Sequence, residues 1–311
     1  HRTLRGFMVG SLPLQFGWIE YLNLVPQAFF SGLLMGLVYA LVAVGLALIW
    51  GVADIVNFAY GEYMLMAMYV TLIGANNYGI DPLFMIPVNV VLLFVAGYVT
   101  YKLVIKRVMD APMLSQIFVT FGILLILRFG MLFVMGPNTQ SVNTFMFDGA
   151  VVIAGMNFSL PKIATGVVSL VTLAVFFLFL NRTKTGKGIR ATAQDPEAAQ
   201  VMGIDPDYMN GLAWGIGSAT VGVAGTMVAT FFSMQPELTP TTWTLFAFAS
   251  VALGGFGNIL GAVAGGMVIS MVEHLGGVLL NPSYKELYIF LVFILVLIYK
   301  PEGILNWGEG E

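Results

Sequence analysis

The sequence predicts an all-α fold, a polytopic bundle of transmembrane helices with about eight or nine spans and one short cytoplasmic helix. Of the 311 residues, 59% are hydrophobic and only 9% are charged, whereas charged residues make up about 25% of an ordinary soluble domain. Long apolar segments alternate with short polar ones, and each is close to the ~20 residues that cross a bilayer. Because no soluble core of this length could bury so much apolar surface, the lipid bilayer is the first expected partner.

Nine apolar segments are candidate spans. The seventh and eighth run together through the glycine-rich stretch LGGFGNILGAVAGG, so they form either two spans or one broken helix. The nine lie near residues 25–50, 62–78, 83–105, 115–135, 163–181, 210–233, 244–261, 262–280 and 286–300. We expect a transmembrane domain at 24–305, preceded by a leader remnant or interfacial segment at 1–23 and followed by a short C-terminal tail at 306–311.

Clustered basic residues orient the bundle, because short loops rich in Lys and Arg stay in the cytoplasm. Two loops carry such clusters, and two predicted spans separate them, so both loops fall on the cytoplasmic side. The segments near 136–162 and 235–243 are then extracytoplasmic. The clustered residues are Lys102, Lys106, Arg107, Arg182, Lys184, Lys187 and Arg190.

Several classes of function lack the residues that they need. The chain has no cysteine, which excludes disulfides, thiolate metal sites and cysteine nucleophiles, and it has no basic tract for nucleic acid. In KTGKG, Gly188 occupies the position where the Ser or Thr of a phosphate-binding loop contacts Mg²⁺. We therefore expect no metal site, no catalytic residue and no bound cofactor in this chain.

The polar loop at 182–209 predicts a short, separately capped helix at the cytoplasmic surface. Asp195 precedes a proline and is a favourable N-cap, and the charge of Glu197 complements the helix dipole in the first turn. Gly203 is placed to end the helix, and a second Asp-Pro pair then starts the next span. Such a helix suits docking into a groove of another protein; its residues are Asp195, Glu197, Ala198, Ala199 and Gly203.

The stretch EAAQVMG at 197–203 resembles the EAA motif (Glu-Ala-Ala-x-x-x-Gly) of ABC importer permeases. Three longer stretches extend the resemblance: GLVYALVAVGLALIWGVADIVNFAYGEYMLMAMYV at 36–70, VALGGFGNILGAVAGGMVISMVEHL at 251–275 and LVLIYKPEGIL at 295–305. Over residues 25–305 the chain resembles the LivH-type permease subunit of branched-chain amino acid ABC importers. The broader family includes permeases for urea and short-chain amides.

The resemblance implies that the capped helix is a coupling helix and that the chain forms half of a translocation pathway in the bacterial or archaeal inner membrane. It implies as partners a second, LivM-like permease subunit, two cytoplasmic ATPase subunits that bind ATP and Mg²⁺, and an extracytoplasmic substrate-binding protein. Family members typically carry histidine where this chain has Tyr60. Urea or short amides therefore remain an alternative to amino acids, and a stand-alone secondary transporter is a second alternative.

Polar and ionisable residues at membrane depth are candidates for the translocation pathway, because burying them in lipid costs free energy. Five residues meet this description, and two of them, of opposite sign, are hypothesised to pair with each other: Arg128 and Glu273. The full set is Asn57, Tyr60, Glu62, Arg128 and Glu273.

Glycines near the seventh and eighth spans predict close helix packing or a helix break. Three of them recur at every fourth residue and would form one smooth face where a second helix backbone approaches. The set is Gly254, Gly255, Gly257, Gly261 and Gly265. Trp243, at the start of the seventh span, is assigned to the aromatic belt at the membrane interface.

Overall fold

The computed structural model describes residues 18–143, 146–153, 156–300 and 303. The predicted C-terminal tail and most of the predicted N-terminal segment lie outside these residues. Within them the fold is an all-α bundle, as predicted, of eleven helices: α1 Trp18–Ala53, α2 Tyr60–Tyr78, α3 Pro82–Leu103, α4 Met113–Met135, α5 Leu160–Arg182, α6 Lys184–Gln194, α7 Pro196–Val201, α8 Pro206–Val228, α9 Thr239–Gly254, α10 Ile259–Leu279 and α11 Lys285–Tyr299.

Among the described residues, seven helical segments are long and apolar enough to cross a membrane. The prediction of eight or nine spans was approximate, and the difference falls on α2 and α9. α9 has only 16 residues, and α2 includes Glu62 and two asparagines, which lower its hydropathy. Both helices are nevertheless packed inside the bundle, where neighbouring helices rather than lipid surround their polar groups.

The centre of the bundle is formed by α1 and α8. In each of them, 83% of the residues in the most apolar 18-residue stretch are buried. α1 packs most extensively against α10, and α3 packs against α8. Small residues permit these close approaches; a Cβ on Gly217 of α8, for example, would lie 2.6 Å from the carbonyl oxygen of Gly45 in α1. α4 and α11 lie at the periphery and expose apolar side chains such as Phe133, as lipid-facing helices do.

α9 and α10 form an antiparallel hairpin. α9 ends at Gly254, and the chain turns through Gly255 and Gly257, whose φ angles of 97° and 78° favour glycine. Asn258 then caps α10, accepting a 2.8 Å hydrogen bond from the amide of Gly261. The predicted pair of spans is therefore two helices folded back on each other and not one broken helix.

Two of the three regularly spaced glycines lie on the face of α10 that touches α9. A Cβ on Gly261 would overlap the backbone of Gly254, and a Cβ on Gly265 would overlap the backbone of Ser250. The prediction of a three-residue face was wrong for Gly257, which lies in the turn and packs against Gly51 of α1. The turn residues interrupt the helical periodicity on which that prediction depended.

Contacts between loops place the polar segments at the two ends predicted for them. Lys106, after α3, lies 2.5 Å from Asp207 at the start of α8, so the two basic loops share one end. At the opposite end Gln140 and Met234 form an isolated β-bridge. That end also carries an antiparallel hairpin of β1 (Ala150–Ile153) and β2 (Met156–Ser159), in register with Ala150 opposite Ser159. Following the predicted orientation, we call the first the cytoplasmic end and the second the outer end.

Candidate functional site

The short helix predicted in the cytoplasmic loop is α7, and its two caps are formed as the sequence predicts. The Asp195 carboxylate accepts a 2.9 Å hydrogen bond from the amide of Ala198, which satisfies one of the free donors of the first turn. Gly203 adopts a left-handed φ of 81°, and the amide of Ile204 donates to the carbonyl of Ala199 at 3.0 Å. This pattern ends a helix sharply, as a glycine C-terminal cap does.

One side of α7 packs against the bundle, and the other side is exposed at the cytoplasmic end. Ala199 is buried, whereas Glu197 and Ala198 are exposed. At the last turn Val201 is 87% exposed and Met202 is 80% exposed. Two apolar side chains so exposed in an otherwise polar loop are typical of a protein–protein contact.

A second helix in the same loop, α6, precedes α7 and was not predicted from the sequence. Its sequence, KTGKGIRATAQ, contains two glycines, which are poor helix formers. Tertiary packing offsets their low helix propensity, because Gly186 and Gly188 are both buried. Gly186 also lies so close to the chain at Leu180 that a Cβ there would overlap the backbone. The Thr183 hydroxyl, which accepts from the amide of Gly186 at 2.9 Å, is the capping signal that could have revealed this helix.

The helix after α7 is fastened to a second helix at the cytoplasmic end. Asp205 caps α8 by accepting from the amide of Asp207 at 3.0 Å. The Asp207 carboxylate in turn accepts hydrogen bonds from Tyr101 at 2.8 Å and from Lys106 at 2.5 Å, both near the end of α3. The start of α8, which directly follows α7 in the chain, is thus attached to the end of α3.

The segment between α1 and α2, together with the first turn of α2, places three predicted pathway residues inside the protein: Asn57, Tyr60 and Glu62. Asn57 is buried, and its side-chain oxygen accepts from the amide of Ala59 at 3.1 Å. Tyr60 is fully buried, and its hydroxyl lies 3.0 Å from the carbonyl oxygen of Val42 in α1 and 3.1 Å from that of Gly217 in α8. Tyr60 therefore joins the start of α2 to the two central helices of the bundle.

Glu62 and Arg128 form an ion pair between α2 and α4. Glu62 Oε1 lies 2.5 Å from one terminal nitrogen of Arg128 and 3.0 Å from its Nε, and the Glu62 side chain is fully buried. The predicted pair between Arg128 and Glu273 was wrong. α4 packs against α2, so Glu62 is the carboxylate that Arg128 reaches.

Glu273 lies near the outer end of α10, in a different cluster of polar groups. Its Oε2 accepts a 2.5 Å hydrogen bond from the hydroxyl of Tyr39 in α1. Lys285 of α11 is 3.9 Å from the other carboxylate oxygen. Trp243 was assigned to the membrane interface, but it is 2% exposed and packs edge-on against Tyr39. An aromatic residue at a helix start predicts either location, and only packing decides between them.

These features define a class of protein. The chain is a multi-pass membrane protein with ionisable residues paired inside a helix bundle, and it carries a short, capped and largely exposed helix at one end. More particularly, the chain belongs to the family described as branched-chain amino acid transport system / permease component, whose family model matches residues 28–297.

Similar proteins carry related names. The chain is 26% identical over 297 residues to the high-affinity branched-chain amino acid transport system permease protein LivH of Salmonella typhimurium, covering 92% of this chain and 96% of the relative. BraD of Pseudomonas aeruginosa, similarly described, is 26% identical with 92% and 97% covered. A probable LivH of Methanocaldococcus jannaschii is 30% identical with 86% and 89% covered. No solved structure matches the chain.

Proposed function

We propose that this protein is one of two permease subunits of an ABC importer and that it moves branched-chain or other amino acids inward across the bacterial or archaeal inner membrane. The observation that carries the proposal is α7, a helix with fixed caps whose exposed face bears Glu197 and Ala198 and ends in Val201 and Met202. The substrate follows from the names of the relatives, which refer to branched-chain amino acids.

The proposed division of labour assigns each end of the bundle to a different partner. Two cytoplasmic ATPase subunits bind ATP and Mg²⁺, and one of them receives α7 in a surface groove. At the outer end a binding protein delivers the substrate. A second, LivM-like permease completes the pathway, and this chain itself holds no cofactor.

Coupling proceeds through the short connections on both sides of α7. When the ATPases close, they move α7, and the Asp205 cap passes that movement to α8. Because α8 packs against α1, α2 and α3, its tilt changes the packing around the buried start of α2. The pathway thereby alternates between outward-facing and inward-facing states, with the ATPases supplying the energy.

The alternatives receive less support. None of the three relatives described above is named for urea or amides. A stand-alone secondary transporter has no use for a capped docking helix with exposed apolar residues. Purification of the chain from its native membrane in mild detergent tests this directly: recovery of two ATPases and a second permease supports the importer. Recovery of the chain alone, active in vesicles without ATP, contradicts it.

Replacing Met202 with aspartate should lower ATPase recovery and ATP-driven amino-acid uptake by about tenfold or more, as loss of a buried interface anchor does. The substitution places a charge in an apolar contact, and α7 should still fold because Met202 lies after its last full turn. Copurification and vesicle uptake are measured together. The matched control is Gln194→Asp, which adds the same charge at an exposed position at the end of α6. Equal ATPase recovery from the two variants contradicts the proposed contact.

A further inference from the structure

A cavity at the outer end of the bundle has the composition of a site for a small amphipathic zwitterion. Its volume is 390 Å³, within the range of about 300–1,000 Å³ typical of small-molecule sites. Side chains from α1, α5, α9, α10 and α11 line it. Its apolar side is formed by the rings of Tyr39, Trp243 and Phe246, and its ionisable lining residues are Lys162, Glu273, His274, Lys285 and Glu286.

Lys162 supplies a positive charge that forms no salt bridge with a carboxylate of the described residues. It is the third residue of α5, it is only partly exposed, and it makes no ion pair with any residue in the described part of the chain. Its Nζ lies 5.9 Å from the centre of the Phe231 ring, a cation–π distance. An ammonium group in this setting is suited to bind a carboxylate.

Glu273 supplies a negative charge to the cavity. One of its carboxylate oxygens accepts a hydrogen bond within the protein, and the other accepts none. Oε2 is occupied by the hydroxyl of Tyr39 at 2.5 Å. Oε1 forms an ion pair with Lys285 Nζ at 3.9 Å, which is too long for a hydrogen bond, so Oε1 can still accept a hydrogen bond from another donor. An ammonium group is the donor that an ionised carboxylate binds most strongly.

Aromatic rings form the apolar wall of the cavity. The Trp243 ring lies 5.5 Å from that of Tyr39 and 6.0 Å from that of Phe246, measured between centroids. The indole Nε1 of Trp243 is buried and finds no acceptor among the described residues. Because this nitrogen has no accessible surface, Trp243 contributes to the cavity through its ring and not through its N–H. The rings also provide contact area for an aliphatic side chain.

We propose that this cavity is the outer substrate site of the permease and that it holds an α-amino acid, with Lys162 facing its carboxylate and Glu273 its ammonium group. The inference rests on the proposed function as an amino-acid importer. It adds a recognition site within this subunit to the delivery of substrate by a binding protein. A phospholipid headgroup with a phosphate and an ammonium group shares the same charge pattern, and the experiment separates the two sources.

The test measures equilibrium binding of radiolabelled L-leucine to the purified transporter assembly, freed of soluble binding protein. The assembly is held in nanodiscs of phosphatidylglycerol, whose headgroup has no ammonium group. Lys162→Gln and Glu273→Gln should each weaken leucine binding by about 10- to 100-fold, because each removes a charge-assisted hydrogen bond. Lys162→Arg, which keeps the charge, should retain most of the affinity. Lys102→Gln, an exposed lysine at the cytoplasmic end, is the matched control and should bind as the unsubstituted protein does.

Two leucine analogues test which cavity residue binds the carboxylate of leucine and which binds its ammonium group. Isopentylamine, which lacks the carboxylate, should compete equally well in the unsubstituted protein and in Lys162→Gln. The acid 4-methylpentanoate, which lacks the ammonium group, should compete equally well in the unsubstituted protein and in Glu273→Gln. If Lys162→Gln and Glu273→Gln both lose all leucine binding and also elute at a changed volume, they have misfolded. Lys162→Arg then tests the proposal. A correctly folded Lys162→Arg variant that does not bind leucine overturns it.

Other results also overturn it: variants that bind leucine as the control does, an unsubstituted assembly that binds no leucine, or leucine displaced by phosphatidylethanolamine in the nanodisc, which identifies a lipid site. ATP-driven uptake in vesicles is measured in parallel. Normal uptake by the Lys162 and Glu273 variants would remove the cavity from the pathway and leave the importer function intact. Absence of amino-acid uptake by the unsubstituted assembly would instead contradict the proposed function itself.

Discussion

Replacing Gly261 with valine should prevent the α9–α10 hairpin from closing and leave little folded permease. A Cβ at this position would overlap the backbone of Gly254, and a Cβ on Gly254 would overlap the backbone of Gly261 in return. A backbone cannot rotate out of the way as a side chain does, so the two helices must separate. Overpacking typically costs about 1–3 kcal/mol of the free energy of unfolding, and we expect this contact to reach or exceed the upper value.

Thermal unfolding in detergent, together with the monodisperse fraction after size-exclusion chromatography, measures the effect of Gly261→Val. Gly122→Val is the control, because Gly122 of α4 has no atom within 4 Å of the position of an added Cβ. The control should unfold at nearly the temperature of the unsubstituted protein. If Gly261→Val matched the control, the close approach of α9 and α10 described above would be incorrect.

Replacing Glu62 with glutamine should strongly destabilise the attachment of α4, because it leaves Arg128 without its carboxylate. Removing one partner of a buried ion pair typically costs about 3–5 kcal/mol. Here the Glu62 side chain is fully buried and that of Arg128 is 21% exposed, so water compensates little. α4 makes few other buried contacts with the bundle, since only 11% of the residues in its most apolar 18-residue stretch are buried. The expected result is a lower unfolding temperature and reduced uptake.

The double variant Glu62→Gln/Arg128→Gln separates two roles for Glu62. Removing both charges leaves no unpaired ion, so most of the lost stability should return. If uptake also returns, Glu62 acts through the pair and fixes α4. If stability returns and uptake does not, the carboxylate itself belongs to the pathway. A double variant as unstable as Glu62→Gln would contradict the ion pair, which is therefore tested by the unfolding temperature and not by uptake alone.

Features encoded within a few neighbouring residues could be predicted from the sequence. The caps of α7 are an example: Asp195 and Gly203 act on amides and carbonyls within four residues, so their effect depends on local geometry alone. Long apolar segments identified the peripheral helices well for a related reason, since lipid contact demands continuous hydrophobicity. α2 and α9 were harder to recognise as membrane-spanning helices from the sequence. Other helices rather than lipid surround them, so a short or polar helix is tolerated there.

Partners distant in the sequence could not be predicted. The charges of Arg128, Glu62 and Glu273 allow two pairings, and charge alone does not distinguish them. The choice depends on which helix packs beside α4. The cavity at the outer end likewise combines residues of five helices, and Trp243 joined it although its position at a helix start equally suits a membrane interface.

By itself, the sequence determined that this protein is a multi-pass helical membrane protein, where its surface helix starts and ends, and which family's motifs it carries. Composition, periodicity and capping act over one or two helical turns, and each can be read along the chain. Only the tertiary structure decided that Glu62 neutralises Arg128, that α10 folds back on α9, and that Lys162 and Glu273 line one cavity. These outcomes depend on helix packing, which brings together Glu62 and Arg128 although they are 66 positions apart, and in which close glycine contacts hold α10 against α9.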